Sequence, residues 1–324
     1  MDRNSSSFMK DEKKIPCWPE TAIGLIGNTR LVALDRVHPG PGRIWAKTEF
    51  LQPGGSIKDR PALAIVVGAL KDGRLVPQRT VVTMTSGNFG AGLAVVCSVL
   101  GHPFVATMSS GNSPQRARML EALGAEVVLV PQVDGSPGLV TGTDLAAAER
   151  AATGLARERS AFYVDQFREP DAIRAHEEGT GPELWDQLEG RLDGFVACVG
   201  SGSTFVGVSR FLKRQRPDIL CVAVEPEGAE VLAGKPLIKP RHKLQGTSYG
   251  TVPPSWDSKL MDLSVAVSDE EAEKWRKSLA RSEGLHVGYT SAANVCAAAK
   301  VLNSGRLSAN AVIGTVLCDT GLKY

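Results

Sequence analysis

The chain has 324 residues, of which 43% are hydrophobic and 22% are charged, as expected for a globular protein of one large or two ordinary domains. Its 37 Lys and Arg residues nearly balance its 35 Asp and Glu residues, which gives no electrostatic case for binding nucleic acid or an acidic membrane surface. No apolar run approaches the roughly 18 residues of a membrane span. The polar segment 1–14 resembles neither a secretory signal nor a transit peptide, and it is predicted to be a disordered tail.

The cysteines and histidines exclude two classes of site. The six cysteines are scattered without a CxxC pair, and the five histidines show no HExxH spacing, so a zinc site is not expected. The cysteines are predicted to be reduced thiols of a cytoplasmic protein. They are Cys17, Cys97, Cys198, Cys221, Cys296 and Cys318.

Strand-like and helix-like segments alternate along the chain. Short apolar runs rich in Val and Ile predict strands at 80–84, 103–107, 126–130, 195–199, 219–224 and 311–317. Between them, the patterns predict helices at 61–70, 91–100, 114–123, 144–157, 205–213, 268–282 and 291–302. Because the strands are apolar throughout, they are predicted to be covered on both faces, as in an α/β protein with largely parallel sheets. A loop rich in Gly, Ser and Pro is predicted at 134–142.

The segment 198–204, CVGSGST, lies between a predicted strand and a predicted helix. A glycine-rich turn at such a junction aims free N–H groups at one point, and the helix N-terminus adds partial positive charge. With the hydroxyls of Ser201, Ser203 and Thr204, the loop is suited to a phosphate group. Phe205 stands where a dinucleotide-binding GxGxxG motif needs glycine, and no Gly-Lys-Ser/Thr completes a P-loop. A plain tight turn is the alternative.

A second junction of this kind is 85–90, TSGNFG, which precedes the predicted helix at 91–100. It offers another cluster of amides and hydroxyls, and the ligand expected there is a substrate carboxylate. A simple turn in which Asn88 adopts unusual backbone angles is the alternative.

The third feature is Lys58, which follows Pro53-Gly54-Gly55 at the start of a predicted helix. Most lysines are solvated surface charges, but the helix dipole does not favour a cation at this position. The placement suits a lysine that loses its proton and forms an imine. A nucleophilic lysine, a phosphate site and a carboxylate site together are what pyridoxal phosphate chemistry on an amino acid requires.

The motifs also resemble a known family. From about Ile23 to the last residue, the chain is similar to the cysteine synthase / cystathionine β-synthase family, which comprises tryptophan synthase β-like pyridoxal-phosphate enzymes of fold type II. The matching segments are LIGNTRLV at 25–32, PGGSIKDR at 53–60, TSGNFG at 85–90, HEEGTGPE at 176–183, GSGST at 200–204 and DTG at 319–321.

The resemblance implies a fold and a set of site residues. The fold is two three-layer α/β/α domains with the cofactor in the cleft between them. The larger domain is expected at 15–46 plus 161–324, and a smaller mobile domain at 47–160. Lys58 would be the Schiff-base lysine, Asn88 would contact the cofactor's 3′-oxygen, and Thr320 would face its ring nitrogen. Gly200, Ser201, Gly202, Ser203 and Thr204 would hold its phosphate, and Thr85, Ser86, Phe89, Gln166 and Tyr249 would bind the substrate.

The implied activity is β-replacement on an activated L-serine through an aminoacrylate intermediate, with cysteine synthesis from O-acetylserine and sulfide as the default. The chemistry fits Thr320, because a hydroxyl beside the ring nitrogen cannot fix a full positive charge there, which disfavours transamination. Alternatives are condensation of serine with homocysteine, an O-phosphoserine-dependent synthase using another nucleophile, a β-elimination lyase and an inactive homologue. The resemblance also implies a homodimer.

Two positions depart from the family pattern near the expected substrate. Phe89 replaces the threonine of TSGNTG; its amide is expected to serve, while its side chain is expected to reshape the substrate end of the pocket. Tyr249 in GTSYG is similar to the tyrosine in the GIGY motif of cystathionine β-synthases.

Overall fold

The computed structural model of the protein describes residues 20–85, 87–138 and 140–324. The predicted tail at 1–14 and Cys17 lie outside these residues. The described strands are β1 (Leu31–Ala33), β2 (Arg43–Lys47), β3 (Val81–Met84), β4 (Phe104–Ser109), β5 (Glu126–Val130), β6 (Phe162–Tyr163), β7 (Gly194–Cys198), β8 (Leu220–Pro226), β9 (Leu263–Val267) and β10 (Val312–Val316).

The described α-helices are α1 (Asp59–Lys71), α2 (Asn88–Leu100), α3 (Pro114–Ala122), α4 (Gly142–Glu158), α5 (Pro170–Ala175), α6 (Gly181–Gln187), α7 (Ser203–Gln215), α8 (Asp269–Ser278) and α9 (Tyr289–Asn303). A π-helical turn, His176–Thr180, joins α5 to α6, and another, Leu279–Glu283, extends α8. In the described ranges, no helix is long and apolar enough to cross a membrane.

The strands form two sheets. The larger has the order β1-β2-β10-β7-β8-β9, and the smaller has the order β5-β4-β3-β6. Within these sheets β1 pairs antiparallel with β2, and the other pairings are parallel. The residues of β4 and β7 are buried throughout, as expected for strands with helices on both faces. The predicted α/β class with largely parallel sheets is therefore confirmed.

The predicted strands and helices are all present, with bounds shifted by a few residues. One shift places the start of α2 at Asn88 rather than at residue 91, and α8 ends at Ser278, where a π-helical turn continues the predicted helix to Glu283. Strands β1 and β6 were not predicted because they have only three and two residues. Strands β2 and β9 were not predicted because their sequences, RIWAK and LSVAV, are not continuously apolar. Helices α5 and α6 were not predicted either, because they have only six and seven residues. The domain bounds at 47 and 160 stay a prediction.

The topology brings the junctions of interest to the carboxyl ends of parallel strands, where ligands bind in open α/β sheets. Strand β3 leads into Thr85, β7 into Gly200, and β10 into the segment before Thr320. Helix α2 packs closely on the start of α1, since a Cβ on Gly92 would lie 3.0 Å from the Lys58 carbonyl oxygen. Glycine at 92 therefore lets the Lys58 and Asn88 segments lie side by side.

Candidate active site

Lys58 stands at the N-terminal boundary of α1 and is half-buried. No acceptor among the described residues takes a hydrogen bond from its Nζ atom. Burial lowers the pKa of Lys58 from its usual 10.5, although the nearby Cys318 and Asp319 oppose that shift. Burial thus makes the neutral amine easier to reach than in a solvated lysine, which suits nucleophilic or general-base work.

Asp59, the next residue, has an unusual carboxyl group. It is fully buried, the Gly54 N–H donates to its Oδ2, and its Oδ1 has no hydrogen-bond partner within the described part of the chain. Burial raises the pKa of Asp59 to about 7, against the lowering effect of the Gly54 bond. The Gly54–Asp59 contact closes the loop that carries Lys58.

A buried set of charges holds this loop against the larger sheet. Arg60 donates through Nε and Nη2 to Glu49, at 2.7 and 2.9 Å, and through Nη1 and Nη2 to Glu183, at 2.6 and 2.7 Å. Lys47 lies 2.8 Å from Glu183, and its side chain is fully buried. Two cations and two carboxylates therefore balance one another, and one of the cations, Arg60, follows Lys58 by two residues. We call these four residues the buried charge cluster.

Asn88 lies beside the Lys58 loop and has charged partners on both ends of its amide. Its Nδ2 donates to Asp319 Oδ2 at 2.6 Å, and its Oδ1 accepts a hydrogen bond from Lys323 Nζ at 2.7 Å. Lys323 Nζ also donates to the Gly54 carbonyl at 2.8 Å. The segment after β10 thus joins Lys58's loop to the start of α2.

The Thr85 side chain organises the turn before α2. Its Oγ1 accepts hydrogen bonds from the N–H groups of Gly87, at 3.2 Å, and Gly90, at 3.0 Å. Those two amides are therefore already used, while the Phe89 N–H lies in the first turn of α2, where helix amides lack internal acceptors. Ser86, the other hydroxyl predicted here, lies outside the described residues.

The expectation that the Phe89 side chain reshapes the substrate pocket is wrong. Phe89 is 3% exposed and belongs to the core cluster beneath the smaller sheet, with Leu93 and Leu120. A large apolar side chain at the start of α2 is stabilised by that core rather than by the polar cleft. Of Phe89, the backbone amide is thus the group left to face the cleft.

Gln166 follows β6, and Thr85 follows the neighbouring strand β3, so the two residues lie at the same edge of the smaller sheet. The Thr83 hydroxyl donates to the Val164 carbonyl at 2.8 Å, which fixes this register two residues before each of them. Next to Gln166, the Phe167 ring packs edge-on against Tyr249, with centroids 5.6 Å apart. Tyr249 is half-exposed, at 45%. The structure therefore places Tyr249 against the residue that follows Gln166.

The loop Gly200–Thr204 has the form expected of an anion site. Gly202 adopts a φ of +90°, and no acceptor among the described residues takes the N–H groups of 200–204. The Ser201 and Ser203 hydroxyls lie 3.0 Å apart. Behind the loop, the Gly246 carbonyl oxygen would stand 2.2 Å from a Cβ on Gly200. Unpaired amides, paired hydroxyls and a helix start thus converge there.

His176 contacts this loop through the side chain of Thr204. Its Nε2 lies 3.2 Å from Thr204 Oγ1, and its Nδ1 lies 2.9 Å from Thr180 Oγ1. Burial, together with the charges of Arg60 and Lys58, holds the pKa of His176 well below its usual range. A neutral imidazole that sits between two hydroxyls fixes the Thr204 side chain without adding charge.

Thr320 lies against the Lys58 loop. Its Cγ2 is 4.0 Å from the position of a Cβ on Gly55, and its hydroxyl accepts a hydrogen bond from the Leu322 N–H at 3.2 Å. As an acceptor there, the hydroxyl still has its own hydrogen and a second lone pair to offer a ligand.

Sequence reasoning did not identify Arg116 of α3 as part of this site. Its Cδ is 3.4 Å from the position of a Cβ on Gly87, its Nη2 donates to Gln245 Oε1 at 2.6 Å, and its guanidinium lies 6.0 Å from the Tyr324 ring centroid. It places a positive charge beside the turn that begins at Thr85. No motif marks it, since the contacts come from loops that are distant in sequence.

Comparisons with known proteins agree with this arrangement. The family model "Pyridoxal-phosphate dependent enzyme" matches residues 23–319. A cysteine synthase of Staphylococcus aureus (strain Mu50) is 37% identical over 306 residues, which are 93% of this chain and 93% of that protein. The crystal structure of an O-ureido-L-serine synthase is 34% identical, with a TM-score of 0.86, over 94% of this chain and 92% of that chain.

An O-acetylserine dependent cystathionine beta-synthase from Helicobacter pylori is 30% identical, with a TM-score of 0.83, over 94% of this chain and 96% of that chain. The family match includes the Lys58 loop, the turn before α2 and the Gly200–Thr204 loop. The chain therefore belongs to the family of pyridoxal-phosphate dependent enzymes.

Proposed function

We propose that this enzyme catalyses β-replacement on an activated L-serine, and that it makes L-cysteine from O-acetylserine and sulfide. The observation that carries the proposal is the half-buried Lys58 amine, whose pKa is lowered by burial and whose Nζ has no acceptor among the described residues. The unpaired N–H groups of Gly200–Thr204 add a site for an anion. The cysteine synthase relative, similar over nearly the whole chain, supports the choice of reaction.

The described residues fit the cofactor. The unpaired amides of Gly200–Thr204, together with the hydroxyls of the same loop, would hold the phosphate. Asn88 would donate to the 3′-oxygen, and Thr320 would face the ring nitrogen. When bound, pyridoxal phosphate withdraws electrons from the substrate's α-carbon and so permits loss of its proton and its β-substituent.

The protein's own groups then have separate tasks. Lys58 takes the proton from the substrate's α-carbon and later returns it, which a neutral amine can do. The Thr85 hydroxyl, the Phe89 N–H and the Gln166 amide would bind the substrate carboxylate, with Ser86 as a further candidate. Tyr249 would limit the space for the incoming nucleophile.

Product analysis tests the proposed reaction. Holoenzyme given O-acetylserine and sulfide is expected to release L-cysteine, identified by mass, and homocysteine in place of sulfide is expected to react more slowly. Serine is expected to be the poorest amino-acid substrate, because hydroxide is the worst leaving group of those compared. Conversion of the amino acid to pyruvate alone, unchanged by any nucleophile, would instead show a β-elimination lyase.

A second candidate is an O-phosphoserine-dependent synthase, which the position of Arg116 favours. Its charge lies beside the turn of Thr85, where an anionic leaving group would be attracted. In the same assay O-phosphoserine would then be used at a lower KM than O-acetylserine, and Arg116→Gln would remove that preference. Arg118 of the same helix is exposed, and Arg118→Gln is the matched control.

Gly200→Ala is expected to weaken pyridoxal phosphate binding by tenfold or more, about 1.4 kcal/mol. The added Cβ would lie 2.2 Å from a backbone oxygen, so the loop has to move away from its phosphate-binding form. Titration of the apoprotein with the cofactor measures the effect. Gly154→Ala is the control, because nothing lies within 4 Å of that Cβ in the middle of α4. Equal cofactor affinities for the two variants would contradict the assignment of the phosphate site to this loop.

The remaining parts of the proposal concern assembly and location. We propose a homodimer with a smaller domain at 47–160 that closes over the amino acid, as the resemblance implies. The described cysteines are all free thiols, which is consistent with the proposed cytoplasmic location.

A further inference from the structure

We propose that Lys323 and Asp319 orient the Asn88 amide so that its NH2 group faces the cofactor's 3′-oxygen, an inference that rests on the role proposed above for Asn88. Both side chains contact Asn88 directly, at 2.7 and 2.6 Å. Since they act through Asn88, they are positioning residues.

The two partners permit a single orientation of the amide. The Lys323 ammonium can only donate, so it requires the Oδ1 atom of Asn88. The Asp319 carboxylate can only accept, so it requires the Nδ2 atom. A flipped amide would set donor against donor and acceptor against acceptor, and it would lose two charge-assisted hydrogen bonds.

One hydrogen of Nδ2 remains after this arrangement. Asp319 takes the first, and no acceptor among the described residues takes the second. Asp319 is itself held, because the Tyr324 hydroxyl donates to the same Oδ2 atom at 2.7 Å and the carboxylate is 1% exposed. The orientation therefore leaves a donor ready for a ligand oxygen rather than for the protein.

The same contacts fix Asn88 relative to Lys58. Lys323 Nζ also donates to the Gly54 carbonyl at 2.8 Å, and the Ile57 N–H donates to the Cys318 carbonyl at 2.8 Å. The segment 318–324 is thus anchored on the loop that carries Lys58. Asn88 and Lys58 would both contact the same cofactor, so their relative position matters. The anchoring of segment 318–324 on the Lys58 loop fixes that position.

Lys323→Met tests the inference, since it keeps most of the length of the side chain and removes the donor. We expect the dissociation constant for pyridoxal phosphate to rise about 3- to 10-fold, and the visible absorption band of the holoenzyme to move. Lys323→Arg retains donors and is expected to restore both. Should Lys323→Met melt too low to study, Asp319→Asn is expected to move the band as well, because a neutral amide no longer selects one orientation.

A double variant separates orientation from charge. In an Asn88→Ala background, Lys323→Met is expected to cause no further change in affinity or in the band, since there is no amide left to orient. An equal effect in both backgrounds would mean that Lys323 acts on the cofactor by its own charge, and would overturn the inference.

Two further measurements complete the test. Lys300→Met is the matched control, because Lys300 of α9 likewise joins a backbone carbonyl to a side-chain oxygen, here that of Glu271, and its loss is expected to leave the band in place. If Asn88→Ala itself leaves the band and the affinity unchanged, the proposed role of Asn88 fails. If Asn88→Ala moves the band and Lys323→Met does not, the orienting role alone fails.

Discussion

Lys58→Ala is expected to abolish covalent attachment of pyridoxal phosphate and to lower the turnover of amino acid about 10³-fold or more. In the proposed function this side chain both holds the cofactor and moves the α-proton, so its loss would remove two functions at once. The purified variant is expected to lose the absorption of the lysine adduct even after incubation with excess cofactor. Absorption spectra and mass spectrometry of the reduced protein measure attachment directly.

Lys58→Ala is not expected to destabilise the fold. A half-buried amine without an acceptor among the described residues contributes little to stability, and burial already disfavours its charged form. We therefore expect the melting temperature of the Lys58→Ala apoprotein to equal or exceed that of the parent. Lys71→Ala, at the exposed end of the same helix, is the control and is expected to change neither property. Retained adduct absorption in Lys58→Ala would assign the attachment to another lysine.

Much of this site could be predicted because its signals are local in sequence. Continuous apolar runs marked the parallel strands, and glycine with hydroxyl residues marked both strand-to-helix junctions. Lys58 was conspicuous because a cation at a helix start needs an explanation. Each of these features is visible within about ten residues of chain.

The partners of those residues could not be predicted in the same way. Asn88 and Lys323 are 235 positions apart, and nothing in either segment indicates that they touch. Arg116 meets Gln245 across 129 positions. Phe89 is a different kind of failure. Its place in a motif indicated that its side chain lines the substrate pocket, but that large apolar side chain is buried in the core. Long-range contacts decide such cases, and a single sequence does not reveal them.

The buried charge cluster is another long-range feature with a large consequence for stability. Arg60 and Glu183 are 123 positions apart, and their side chains are 5% and 15% exposed. Glu183→Gln is expected to lower the free energy of unfolding by about 3–5 kcal/mol, because it leaves the fully buried Lys47 without its carboxylate and Arg60 with one partner. Urea unfolding followed by far-UV circular dichroism measures the change.

The pH dependence gives this prediction a second signature. Burial alone would raise the pKa of Glu183, but its bonds with Arg60 and Lys47 outweigh burial and lower that pKa from 4.5 to about 2. A depressed carboxyl pKa stabilises the folded state fully above the unfolded value, and that stabilisation is lost as pH falls from about 4.5 towards 2. In Glu183→Gln this part of the acid destabilisation is therefore expected to be missing.

Glu126→Gln is the matched control, since Glu126 also receives two bonds from one arginine, Arg159, but on the surface, where both side chains are at least 36% exposed. Its loss is expected to cost about 0.2–1 kcal/mol. Equal losses for the two variants would mean that burial adds nothing to the cluster. Since Arg60 of the cluster follows Lys58 by two residues, a loosened Glu183→Gln protein is also expected to bind pyridoxal phosphate less tightly, whereas Glu126→Gln is not.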